Sequence, residues 1–322
     1  MRKSLESIGP CSVAVCPRMV NMSAPILSRR TKASILQTIF DKSGASAETP
    51  PVFGHFGEWV QGRLGPEGPV VLVTMLCRAH GVRAQFAPGG ALGLTQGEPA
   101  AVSLAQLRHL LEAAGENGGS FTLSGNLPVG VGAGASTAAL VALARAAGIA
   151  EDRLPSLCLA VEGATDPLML PHPDRVIWAS RLAQSKGALG APPRADIIGG
   201  YFGEPIRTDA ADSDFADIAD LLPAWESAVT QGDLPQVARL ARISADRTTA
   251  LRGPLNDPST ILAQRLGALG YARAGTHDRR GGHPAGVCDR GGFVLACAAL
   301  CENRPSGVLD RPRHSHDRGA VE

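Results

Sequence analysis

Gly125-Asn126-Leu127-Pro128-Val129-Gly130-Val131-Gly132-Ala133-Gly134-Ala135-Ser136-Thr137 is the stretch on which the fold turns. Phe121-Thr122-Leu123, just before it, reads as a short strand. Ala138–Ala147, just after it, is dominated by Ala and Leu, strong helix formers, and Gly148 supplies a C-terminal stop. The glycines therefore lie between a strand and the N-terminus of a helix. Gly130, Gly132 and Gly134 free the backbone for left-handed angles and for close approach to a ligand. Successive bare N–H groups in such a turn converge as an anion nest, and the helix behind adds the positive end of its dipole. Ser136 and Thr137 offer hydroxyls where a phosphate oxygen or Mg²⁺ would lie. A tight turn that only seats a helix on a sheet uses the same glycines, and pattern alone leaves the two readings level.

Two other glycine motifs compete. A P-loop needs Lys directly before its Ser or Thr, and here Ala135 precedes Ser136, so that reading fails. A dinucleotide fingerprint is met in permissive form by Gly130, Gly132 and Ala135, with Glu151 further on. Pro128 interrupts its entry, and Glu151-Asp152-Arg153-Leu154-Pro155 is no strand, whereas a Rossmann unit holds its acid at a strand end.

Outward from the glycine turn, Val70–Leu76 and Val82–Phe86 read as two strands of a hairpin. Leu104–Ala114 reads as a helix with Leu104, Leu107, Leu110 and Leu111 on one face and Ser103 as N-cap. Downstream, Pro155–Gly163 reads as a helix, and Arg175–Trp178 and Ala195–Phe202 as strands. Phe215–Leu222, Pro223–Thr230, Leu234–Asp246 and Ser259–Leu269 read as helices, with Asp233 and Asp257 near helix starts, where a carboxylate suits the dipole. The pattern specifies mixed α and β structure. Residues 1–50 read as a poorly ordered extension with one helical stretch at Ile35–Phe40. Residues 273–322 read as an aberrant, disordered tail rich in Arg, Pro, His and Asp, in which only Phe293–Leu300 is apolar enough to be ordered.

Composition narrows the function. Apolar residues are 44% and charged residues 19% of 322, which is globular composition with length for one large domain or two ordinary ones. A net charge of +1 lacks the basic excess of a duplex nucleic-acid binder. Val70–Leu76, the strongest apolar run, is too short to cross a bilayer, and residues 1–50 hold no uninterrupted apolar signal. Seven cysteines, an odd number without a close CxxC pair, suit reduced cytosolic thiols, and Cys297, Cys301 and His283 fit no zinc template. These features are expected of a soluble cytoplasmic protein with neither nucleic acid nor membrane as partner.

Pro128-Val129-Gly130-Val131-Gly132-Ala133-Gly134-Ala135-Ser136-Thr137-Ala138 resembles the phosphate-binding motif of the GHMP kinases, the family of galactokinase, homoserine kinase and mevalonate kinase. That motif is a Pro, three residues, then Gly-Leu-Gly-Ser-Ser-Ala; Ala135 stands for its first Ser and Ser136 keeps the second. Gly57-Glu58-Trp59-Val60-Gln61-Gly62 resembles the Gly-Glu-x-x-Gln-Gly opening of one branch, the L-threonine kinases of cobalamin assembly and propanediol utilisation. Asp196-Ile197-Ile198-Gly199-Gly200 and Arg207-Thr208-Asp209 are similar to that branch as well, so the likeness runs from Val52 to Tyr271.

The resemblance implies a two-lobed α+β protein. Its ATP-binding N-terminal lobe would span residues 51–185, and a ferredoxin-like C-terminal lobe, incomplete here, residues 186–272. It implies ATP and Mg²⁺ as cofactors and phosphorylation of the L-threonine hydroxyl. By similarity Gly130, Gly132, Gly134, Ala135, Ser136 and Thr137 hold the ATP phosphates, and Ser136 and Glu162 hold Mg²⁺. Asp166 then orients or deprotonates the acceptor hydroxyl, and Glu58 takes the substrate amino group. Without the family, Asp166 reads as a capping residue, Glu162 as a solvated one, and Glu58 equally as a partner of its own turn. His55 and His109 read as structural, and His80 as a turn residue.

The third glycine-rich motif of the family is expected just after Leu266-Gly267-Ala268-Leu269-Gly270-Tyr271-Ala272. Arg273-Ala274-Gly275-Thr276-His277 stands there, where the threonine kinases tend to carry Ala-His-Thr-Gly. A shifted reading frame would produce both that departure and the tail. The alternative reading is therefore a nucleotide-binding relative with impaired catalysis.

Overall fold

The computed structural model describes residues 13–15, 48–200, 209–253 and 259–273. The strands are β1 (Val13–Val15), β2 (Val52–Arg63), β3 (Val70–Ala87), β4 (Gly93–Thr95), β5 (Ser120–Gly125), β6 (Val176–Ala179), β7 (Gln184–Ala188) and β8 (Ile198–Gly200). The helices are α1 (Leu104–Ala114), α2 (Ala135–Ala146), α3 (Leu154–Glu162), α4 (Leu221–Gln231), α5 (Leu234–Arg252) and α6 (Ser259–Leu266). The chain is thus α+β, as the sequence specifies.

β3 organises the sheet. It is one continuous strand where two strands and a turn are expected: antiparallel β2 pairs with it on both sides of Arg78-Ala79-His80, from Arg63 opposite Val70 to Gly54 opposite Cys77 and again at Phe53 opposite Gly81 and Val52 opposite Val82, so those three residues bulge without ending the strand. His80 accordingly lies in a strand and not in a turn. The opposite edge of β3 carries β5 along Val82–Ala87 and β6 at Val71 and Leu72, with β4 beyond β5 and β7 beyond β6. Successive β3 residues point to opposite faces. Leu72, Leu76, Val82 and Ala84 enter one core with α1, α2 and α3, while Val71, Val73, Met75 and Cys77 enter a second with α4 and α5. Both faces are covered, and this explains the continuous apolar run.

The helices begin where local chemistry tells them to. Ser103 caps α1 in a reciprocal capping box with Gln106. Asp233 caps α5 by accepting from the Gln236 N–H at 3.0 Å. α4 is a single helix beginning at Leu221, which merges two expected helices: Pro223 falls in its first turn, where the missing N–H breaks no bond. Phe215–Asp220 lies outside it, and Asp217 bridges to Arg63. β5 runs antiparallel to β3, and α2 leads into α3 instead of a second parallel strand, so no dinucleotide-binding unit forms.

Of the N-terminal extension, Val13–Val15 pairs antiparallel with Ile198–Gly200, and the Thr49 N–H donates to the Ala84 carbonyl at 2.9 Å. The Ile35–Phe40 helix, Asp257, the tail beyond Arg273 and the cysteines other than Cys77 and Cys158 lie outside the described residues. Among the described residues neither of those two forms a disulfide, and both are buried. Among the described residues no helix is long and apolar enough to cross a membrane.

Candidate active site

A bulge in β2 builds the floor of the site. His55 and Glu58, three residues apart, would face opposite sides of a regular strand. Here the register steps from His55 opposite Leu76 to Glu58 opposite Thr74, one residue more on β2 than on β3, with Gly57 at φ 100. Both side chains then meet on one side. His55 Nδ1 lies 3.4 Å from Glu58 Oε1, and Nε2 lies 3.4 Å from Asp166 Oδ2. His55 and Glu58 are each only 5% exposed, so their charges act with little solvent screening.

Burial alone would discharge His55, but the flanking carboxylates of Glu58 and Asp166 outweigh it and hold the imidazole up at about 9. Burial pushes Glu58 up to about 7, against the pull of His55 and with the push of Asp166. In the neutral ring Nδ1 accepts from the Gly57 N–H at 3.1 Å, which leaves the proton on Nε2 toward Asp166; in the imidazolium both nitrogens carry protons, Nδ1 facing Glu58 and Nε2 facing Asp166.

The glycine turn forms the opposite wall. Gly130, Gly132 and Gly134 all have left-handed angles, with φ 76, 68 and 74. The turn is tied to β2 by the His55 N–H, which donates to the Ala133 carbonyl at 3.1 Å. A Cβ on Gly134 would sit 2.7 Å from Leu168 Cδ1 and 2.8 Å from the His55 ring, so only glycine passes there. Among the described residues the amides from Gly130 through Thr137 donate no hydrogen bond, and α2 starts at Gly134 without a side-chain cap. A row of unspent donors at a helix N-terminus is what a polyphosphate requires.

Thr137 links the acidic residues. Its hydroxyl donates to Glu162 Oε2 at 3.0 Å and faces the Asp166 N–H at 3.5 Å. Glu162 ends α3, where Gly163 at φ 71 turns the chain into the loop bearing Asp166. Ser136 lines the cleft next to Thr137. A hydroxyl and a carboxylate are hard oxygen donors of the kind Mg²⁺ takes, so the donor set fits that ion.

Together these residues line a cleft of about 290 Å³. It gathers every residue singled out from the sequence: Gly130, Gly132, Gly134, Ala135, Ser136, Thr137, Glu162, Asp166 and Glu58. It also contains two that sequence reasoning missed. His55 was expected to be structural and instead joins Glu58 to Asp166; its position between Gly54 and Phe56-Gly57 in a bulge-forming segment was the available signal. Arg181, in the turn after β6, had no local signal. His109 stands exposed on α1, away from the cleft.

No family model and no curated protein matches this sequence. Among solved structures, galactokinase of Lactococcus lactis complexed with galactose is similar with a TM-score of 0.51 at 10% identity, over 83% of this chain and 88% of that one. Mevalonate kinase of L. major in complex with R-mevalonate is similar with a TM-score of 0.48 at 14% identity, over 81% of this chain and 90% of that one. Homoserine kinase from Cytophaga hutchinsonii is similar with a TM-score of 0.47 at 15% identity, over 74% and 84%. The likeness to that galactokinase is one of fold.

Proposed function

We propose that this chain is an ATP-dependent kinase that phosphorylates the side-chain hydroxyl of L-threonine, giving O-phospho-L-threonine for the cobalamin nucleotide loop. The observation that carries the kinase reading is the run of unspent amides from Gly130 to Thr137 beside the Thr137–Glu162 pair and Asp166. The choice of L-threonine rests on the likeness of Gly57-Glu58-Trp59-Val60-Gln61-Gly62 to one branch of the family. We read residues 51–185 as the ATP-binding lobe and 186–272 as the second lobe, acting in the cytoplasm.

The turn amides and the α2 dipole hold the ATP phosphates, each contact contributing roughly 0.3–1 kcal/mol when exposed and more when shielded. Ser136 and Glu162 would hold Mg²⁺, which would supply charge neutralisation at the phosphates. The protein's work is positioning and electrostatics. The Asp166 carboxylate receives the proton of the acceptor hydroxyl as its oxygen bonds to the γ-phosphorus. The bond from that phosphorus to the β–γ bridging oxygen breaks, and its electron pair leaves with ADP. His55 orients Asp166 through Nε2, with Glu58 behind it.

The test is ADP release by the purified full chain with ATP, Mg²⁺ and L-threonine, compared with L-serine and homoserine. Threonine-dependent release is expected, reduced roughly a hundredfold by Ser136→Ala. ATP binding without turnover on any hydroxyl substrate supports the impaired relative instead, and absence of ATP binding refutes the site.

A further inference from the structure

Arg181 is the cation of this cleft that the phosphate machinery does not use. It lies two residues past β6, and its guanidinium is held by two neutral partners: Nη1 donates to Ser180 Oγ at 2.8 Å and Nη2 to the Asp212 carbonyl at 3.3 Å. The plane lies over the Phe215 ring, 5.1 Å from its centroid, and Arg252 covers the same ring at 4.6 Å. Among the described residues no carboxylate lies within ion-pair distance of Arg181, and its Nε–H is buried without a partner. A guanidinium keeps its charge and presents five donors in a fixed fork, so most of this fork is unspent. Burial disfavours this charge, and the carboxylates of Asp212, Asp166 and Asp209, all beyond ion-pair distance, offset that only in part, so an anion bound directly to the fork would stabilise it further.

Position says which anion. The Ser180 carbonyl accepts from the Thr165 N–H at 2.9 Å, and Trp178 Nε1 donates to the Thr165 carbonyl at 2.7 Å. Arg181 and Asp166 are therefore each next to a residue of one backbone tie, at the end of the cleft where the hydroxyl is activated. The phosphates have their own donors in the glycine turn. Resting on the kinase reading above, we propose that Arg181 anchors the carboxylate of the acceptor, so that the site selects hydroxyl compounds bearing a carboxylate. Its fork pairs bidentately with that group while Phe215 shields the contact from water.

The experiment is calorimetric titration of the full chain with L-threonine and with isopropanolamine, the same molecule without its carboxylate, alongside ADP release with each. L-threonine is expected to bind roughly ten- to hundredfold tighter, the scale of a charge-assisted hydrogen bond. Arg181→Gln is expected to bring that ratio near one, and Arg181→Lys to restore part of it. Equal binding of the two compounds by the unsubstituted protein overturns the proposal without recourse to any variant. A ratio that survives Arg181→Gln while ATP affinity falls assigns the residue to phosphate and overturns it too. Carboxylate-dependent binding without turnover would uphold the anchor and sink the kinase reading, so the two fail separately.

Discussion

Replacing Gly134 by Ala tests the close approach on which the site depends. The residue has φ +74, an angle that costs an L side chain about 1–2 kcal/mol. The new Cβ would stand 2.7 Å from Leu168 Cδ1 and 2.8 Å from both Cδ2 and Nε2 of His55. The leucine methyl can rotate aside, but the imidazole is fixed between Glu58 and Asp166. Relieving the clash therefore moves either the glycine turn or the Asp166 contact. Overpacking of this kind costs about 1–3 kcal/mol, which with the backbone strain makes roughly 2–5 kcal/mol.

Gly148→Ala isolates the strain. Gly148 has nearly the same angle, φ +77, yet a Cβ there meets nothing within 4 Å. Its expected cost is about 1–2 kcal/mol, the backbone share alone. In paired urea melts Gly134→Ala should unfold about 1–3 kcal/mol more easily than Gly148→Ala. Calorimetry should show ATP affinity reduced at least roughly tenfold by the first, about 1.4 kcal/mol, and little changed by the second. Equal destabilisation by the two, or undiminished ATP affinity in Gly134→Ala, would refute the idea that this glycine holds the turn against His55.

Thr137→Val keeps the shape of α2 but takes the hydroxyl from Glu162 Oε2, so stability should fall by about 1–3 kcal/mol and turnover should fall with it, read by denaturation and ADP release. The stability of the protein should decline with rising pH across the His55 transition. His55 titrates at about 9 in the fold against 6.5 unfolded, so its contribution is complete below pH 6.5 and is lost as pH rises through 9. Glu58, up from 4.5 to about 7, acts in the same direction over the lower window. His55→Asn should flatten the slope between pH 6.5 and 9, and an unaltered slope in urea melts would remove His55 as its source.

The glycine turn, the helix behind it and the caps at Ser103 and Asp233 could be read from sequence because their causes are local. Backbone angles and orphan amides are decided within a few residues. β3 differs from its expected reading because Arg78-Ala79-His80-Gly81 has the composition of a turn, yet β2 pairs on both sides of it, at Cys77 and at Gly81, so the segment bulges within one strand. β4 and β7 are too short or too polar to stand out, since they are held by neighbours and not by their own pattern. The α4 start was misplaced because Phe215 looks helical by type yet is committed to Arg181 and Arg252. Among site residues, Ser136 follows from the glycine turn itself, whereas Glu162 and Asp166 came from family likeness. His55 leaves only the trace of its glycine-flanked, bulge-forming segment and depends otherwise on a carboxylate remote in sequence, while Arg181 depends on Asp212 and Phe215, about thirty residues away, and leaves no local trace.

Glu58 shows how burial changes a role. Sequence likeness offers it to the substrate amino group, but the side chain is 5% exposed and set against His55 Nδ1. The imidazolium is directed at Asp166 through Nε2, and Glu58 behind it is the charge that, with Asp166, sustains the imidazolium despite burial. Glu58→Gln should therefore lower the His55 pKa from about 9, so that the alkaline limb of the rate profile moves to lower pH and kcat falls. The KM for L-threonine should change little. A mutant with raised KM and intact kcat would instead place Glu58 in ground-state contact with the substrate, and the relay through His55 would have to be abandoned.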